Sequence, residues 1–315
     1  MNTVLDMHAA CSAATTLFYG GQMHSALNAL PQEISHVSMP YATDHERISL
    51  QLTRARLYVD MVILDGEGTR EALRHLNVAE RQIGRSELPG PLAALYLERG
   101  RLALIQQARF QRSDYSGARA ALIHALEHAR RAGDMAVQAA VRVAWSGMTF
   151  KLGQPEEALD TAQLALDLAQ RCGRADIEAD ALHTLGLLLR AWGDSSAALS
   201  HLNCALTLRM DDGLRVWMAA TYVALGETLM LAGHIGEAHT HLTTAADLAE
   251  RYGTRRIGAQ AALTLAELFM RTERHSAGWA AARTGRNLAC QVRDEPLIAR
   301  ADRLLTQLGT GGLSR

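Results

Sequence analysis

The sequence predicts an all-helical, right-handed α-solenoid of about seven helical hairpins, closed at its C-terminal end by one further helix. Three observations carry that expectation. Turn glycines recur at a fixed step of 40 residues, as Gly153, Gly193 and Gly233. Small and apolar residues keep the same step: Ala118, Ala158, Ala198, Ala238 and Gly278 in one column, and Leu122, Ala162, Leu202, Leu242 and Ala282 in the next. The composition is 48% hydrophobic with 6 prolines and 5% aromatics, which favours helix over sheet. A fixed period of this size marks stacked supersecondary units, each too small to bury its own apolar face.

From the N-terminus, residues 1–92 are expected to form irregular hairpins. Ala26 with Leu30, and Ala72 with Leu76 and Ala79, repeat the second-helix pattern at a step of 46. The extra residues fall in the polar, proline-containing stretches 31–47 and 84–91, read as long loops or extended first helices. Residues 93–292 are expected to form five regular hairpins. In the reference copy, Leu182, Leu185, Gly186 and Leu189 make one helical stripe, Gly193 ends the helix, Asp194 or Ser195 caps the next, and Ala198, Leu202 and Ala205 repeat the stripe. Gly186 and Ala198 are placed where the two helices cross. Residues 293–309 form a capping helix, started by Asp294 or Glu295 with Pro296 in its first turn, and 310–315 form a flexible tail.

The formal net charge of −1 does not describe a surface built to neutralise phosphates, so nucleic acid is not an expected partner. No stretch is long and apolar enough to cross a membrane, and the N-terminus lacks a basic leader region. Cys11, Cys172, Cys204 and Cys290 are widely spaced with no CxxC pair, which fits reduced thiols in the cytoplasm. Lys151 is the only lysine among 32 basic residues, a hint of a GC-rich bacterial genome.

The pattern of a large apolar residue, Leu-Gly, a second large residue, a turn Gly and then Ala, Leu and Ala resembles the tetratricopeptide repeat (TPR). Leu182, Leu185, Gly186, Leu189, Gly193, Ala198, Leu202 and Ala205 fill it once, and Tyr222, Leu225, Gly226, Leu229, Gly233, Ala238, Leu242 and Ala245 fill it again. Ser146 and Ala266 stand where the Gly is expected. The 40-residue step is similar to the variant in kinesin light chains, the sensor domain of MalT-type activators and Rap-type peptide receptors. It covers nearly the whole chain, most regularly from about 99 to 292. The resemblance implies a superhelix whose first helices line the inner face.

Carried onto this register, one inner column holds Phe110, Phe150, Arg190, Met230 and Met270; a second holds His183, Val223 and Leu263; a third holds Leu187, Glu227 and Glu267. Together they describe a largely apolar trough with a few charged contacts, suited to an amphipathic helix or hydrophobic peptide. The same residues could instead pack neighbouring first helices together. His124 and His128, four apart, have the spacing of a metal pair but no third ligand nearby, so a solvated helix face is the preferred reading and no metal or cofactor is expected. No phosphate loop or nucleophile elbow is present. The expectation is a non-enzymatic bacterial scaffold that holds a protein or peptide partner in its groove. The alternative is a signal receptor whose groove takes a small molecule or short peptide. A homo-oligomer is possible through an uncapped N-terminal unit around Ala26.

Overall fold

The computed structural model describes residues 7–31, 43–84 and 88–311; parts of the expected loop at 31–47, of the stretch at 84–91 and of the tail at 310–315 fall outside these. Among the described residues there are fifteen helices and no strand. They form seven hairpins: α1 (Met7–Tyr19) with α2 (Met23–Ala29), α3 (Asp44–Leu64) with α4 (Thr69–Ile83), α5 (Pro89–Arg109) with α6 (Ser116–Ala132), α7 (Met135–Lys151) with α8 (Pro155–Arg171), α9 (Ala175–Ala191) with α10 (Ser195–Asp211), α11 (Arg215–Leu231) with α12 (Ile235–Tyr252), and α13 (Arg255–Arg271) with α14 (His275–Val292). A last helix, α15 (Glu295–Gly311), packs on the seventh hairpin. The architecture is a right-handed α-solenoid with a capping helix.

Each turn is fixed by local chemistry. Gly193, at φ 87°, ends α9, and the Asp194 N–H returns to the Leu189 carbonyl at 3.0 Å. The Asp194 carboxylate then accepts from Ala197 N at 2.9 Å, one of the donors left open at the start of α10. The crossing inside each hairpin depends on small residues. A Cβ added to Gly186 would lie 2.6 Å from Leu202 Cγ, and one added to Gly226 2.5 Å from Leu242 Cγ, so the helices approach closer than any side chain there would permit. The departures from the pattern are compensated. Ser146 is fully buried and its hydroxyl donates to the Ala158 carbonyl at 2.7 Å. Ala266 faces Gly278, so the small and smaller partners have exchanged helices.

In the third hairpin Gly100, not a residue 40 before Ser146, meets Leu122. The 21-residue α5 and the turn at 110–115 place that glycine six positions earlier than the regular step implies. α3 is also 21 residues long, and Thr43 with Glu46 forms a capping box at its start, so part of the extra N-terminal sequence extends the first helices.

The solenoid closes on itself. Met23, Ala26 and Phe18 of the first hairpin share a core with Val216, Ala219, Ala245, Ala249 and Ile257 of α11–α13, so the chain itself covers the unit around Ala26. Gly21, at φ 104°, sits against the Tyr252 ring, and Gly66, at φ 86°, against Val292; side chains there would collide. Asp65 receives the Arg255 guanidinium at 2.6 Å and its backbone N–H at 3.0 Å. Arg109 donates to the carbonyls of Gly66 and Val292, tying α5 to both sides of the seam.

Candidate functional site

Closure turns the inner face into a cavity of about 970 Å³. Its walls come from the first helix of each hairpin, α1 contributing Tyr19, with Arg209 of α10 and Arg300 of α15 added. One wall is apolar: Leu97, Val137, Ile177, Trp217 and Ile257, one residue from each successive first helix. Beside these, largely on first helices as well, runs a chain of charges that links the hairpins.

Tyr19 donates to Asp60 Oδ2 at 2.7 Å, while Arg101 reaches Asp60 Oδ1 at 2.5 Å and Glu98 at 2.9 Å. Asp60 is 1% exposed, and burial pushes the Tyr19 hydroxyl well above its usual pKa. Burial likewise raises the Glu98 carboxyl, against the pull of Arg101. Burial alone would raise Asp176, but Arg174 and Arg56, at 2.8 and 3.1 Å, hold it below the ordinary range. Arg209 is 2% exposed; it donates to Asp180 at 2.8 Å, to the Trp217 carbonyl at 3.1 Å and to the Thr221 hydroxyl. Between Arg209 and Arg190 lies His183, kept neutral by burial and then by those two cations. Its Nδ1 is buried without a hydrogen-bond partner.

The sequence-derived residues divide. His183, Leu187, Arg190, Val223 and Glu227 line the cavity. Arg190 and Glu227 pair directly; Glu227 accepts from Thr264 at 3.2 Å, Thr264 from Arg300 at 3.0 Å, and Arg300 also binds Glu267 at 2.8 Å. Glu267 is therefore joined to the site without lining it. Leu263 is fully buried between α13 and α14, where it fills the space left by Gly285. Met230 is 4% exposed in the core between successive hairpins, and Met270 packs against the core under the capping helix. Phe150 lies in the last turn of α7 and Phe110 caps α5; both are exposed on the rim, outside the cavity. The reason is twofold. A column at the last turn of each first helix faces the rim more than the interior, and the six-residue shift in α5 puts Leu104, which does line the cavity, where Phe110 was expected.

The charged residues Asp60, Glu98, Arg101, Asp176, Asp180 and Arg209 were missed by the column reading. A signal existed for one pair: Arg209 interrupts a column of Ala129, Ala169, Ala249 and Ala289, and Asp180 lies 40 from Ala140 and Ala220. The two departures meet. His124 contacts Glu127 at 3.6 Å and, with His128, packs on Tyr96; no cluster of three metal-competent residues exists among the described residues.

The tetratricopeptide repeat family model matches residues 137–211. No curated protein sequence matches the chain. Among solved structures, a Rap protein complexed with Competence and Sporulation Factor is similar at TM-score 0.69 and 16% identity, covering 96% of this chain and 85% of that one. NprR in complex with its cognate peptide NprX follows at TM-score 0.56 and 15% identity, covering 87% and 75%. The apo form of RapI is similar at TM-score 0.54 and 14% identity, covering 98% and 87%. At these identities the likeness is one of fold. With its repeat columns, its hairpin crossings and the family match on the fourth and fifth hairpins, the chain is a tetratricopeptide-repeat-type α-solenoid.

Proposed function

We propose that the chain is a non-enzymatic regulator of the bacterial cytoplasm that takes a short peptide into its closed interior. The observation that carries this reading is the cavity itself. Its volume of about 970 Å³ is at the top of the ~300–1,000 Å³ range of small-ligand sites, which suits a short peptide better than a partner's long helix. The apolar wall from Leu97 to Ile257 would hold side chains, and Asp180, His183, Arg190 and Glu227 offer donors and acceptors for a peptide backbone. The solved structure of NprR with its cognate peptide supports the same use of a similar fold. A scaffold reading has its own support in Phe110 and Phe150, each 38% exposed on the rim, where a partner protein could dock.

Random peptide pools of about six to eight residues should raise the melting temperature of the wild-type protein, because a ligand of the native state alone stabilises it by mass action. Ala220→Trp, which fills the cavity from a half-buried lining position, should remove the rise. Equal shifts in the wild type and this variant would contradict an interior site. A partner lost through Phe110→Asp with Phe150→Asp, and kept in Ala220→Trp, would favour the scaffold.

A further inference from the structure

Lys151, the only lysine of the chain, ends α7; it lines the cavity and is exposed where the cavity opens to solvent. Among the described residues it has no hydrogen-bond or ion-pair partner. Its surroundings are short of negative charge. Arg256, also in the wall, spends its Nε on Asp294 at 2.8 Å and its Nη1 on the Ile63 carbonyl at 3.2 Å, which leaves the second amino group over. Arg109, 5% exposed, donates to two carbonyls and to no carboxylate, and its Nε has no partner. Asp294 is the acid that opposes these three cations. Its two oxygens are engaged by Arg256 and by Leu297 N, at 3.2 Å. Asp65 and Glu67, next along the seam, are matched to Arg255. Desolvation, and then Arg256, hold the Lys151 amine below its usual pKa, with Asp294 opposing.

We propose that Lys151 and Arg256 form an anion seat at the mouth of the cavity, and that the ligand brings a carboxylate to it. The two oxygens of a carboxylate match an ammonium and a guanidinium edge, and a charge-assisted pair there would relieve the local excess of positive charge. The inference rests on the peptide reading for the source of the carboxylate, a chain terminus or an acidic side chain. The seat itself depends only on the charges at the seam.

Because there is one ε-amine, reductive ¹³C-dimethylation of the full chain gives a single lysine resonance, separate from that of the α-amine and absent in Lys151→Arg. Three hexapeptide pools serve as probes: free C-termini without Asp or Glu, the same pool amidated, and an amidated pool containing Asp. Acetate and inorganic phosphate are the simple anions. The acid-bearing pools should move the Lys151 resonance saturably and bind about tenfold tighter than the amidated neutral pool. In Lys151→Met the ratio of acid-bearing to neutral affinity should fall to about one. Whichever acid-bearing pool moves the resonance identifies the terminus or the side chain as the source. If all pools bind equally and the resonance stays still, the seat is overturned and the peptide reading survives. If no pool binds but acetate moves the resonance, the seat stands and the peptide reading fails. A response to phosphate alone overturns the carboxylate, and silence towards every probe overturns the seat.

Discussion

The crossing of α9 with α10 and the seam between the first hairpins and α11–α14 both press backbones together, by opposite means. At the crossing, Gly186 and Ala198 are instances of a column, and the same packing returns at Gly226 and Ala238. At the seam, Gly21 meets Tyr252 and Gly66 meets Val292 across hairpins far apart in the chain, and the polar contacts of Asp65, Arg109 and Arg255 around them are individual. A repeating contact builds the wall of the solenoid; a unique contact decides where the wall ends and what it encloses. The same division applies inside the cavity, where the apolar wall is columnar and the charges are individual.

Breaking an individual contact in the interior should cost most. Asp180→Ala leaves the buried Arg209 without its carboxylate, and the loss should be about 3–5 kcal/mol in urea unfolding. Adding Arg209→Ala restores the small residues of the neighbouring repeats and should recover most of that loss; an additive double mutant would show that the pair is not coupled. Next comes the columnar contact: Ala198→Phe overpacks a fully buried crossing and should lower stability by about 1–3 kcal/mol or more, read as a fall in melting temperature.

A pH effect follows. His75 donates to Gln51 at 2.7 Å and stacks on Tyr58, and burial, with Arg54 and Arg74, lowers its pKa to about 4. The unfolded chain therefore binds the proton more readily, and stability should fall as pH drops from the ordinary histidine value of 6.5 towards 4, by on the order of 1–3 kcal/mol. His75→Gln should flatten that slope. At the seam, Asp65→Asn keeps the shape of a buried side chain but removes the charge that three Arg255 donors bind, which should cost about 1–3 kcal/mol and enlarge the radius of gyration.

How much could be read in advance follows the same line. Gly186, Leu202, Gly193 and Asp194 were legible because their roles recur and their local chemistry is self-contained. The shift at Gly100 was hidden because the longer α5 and the turn at 110–115 preserve the step of the second helices while breaking that of the first. Leu263 reads as inner-face in its column, but Gly285 opens a space that draws it into the hairpin. The Arg209–Asp180 pair could have been found by looking for what interrupts a column. The ring closure could not, because Gly66 and Val292 belong to the second and seventh hairpins, and the columns record packing within and between successive hairpins, not between hairpins so far apart.

That closure can be tested directly. A Cβ at Gly66 would stand 2.6 Å from Val292 Cβ, so slight relaxation reaches the ~3.8 Å of a disulfide. In a chain with Cys11, Cys172, Cys204 and Cys290 replaced by Ser, Gly66→Cys with Val292→Cys should oxidise to an intramolecular disulfide in the folded protein, seen by intact mass and by faster migration without reductant. Two thiols that stay reduced under the same oxidant, in a protein that is folded by circular dichroism, would mean an open superhelix without an enclosed cavity.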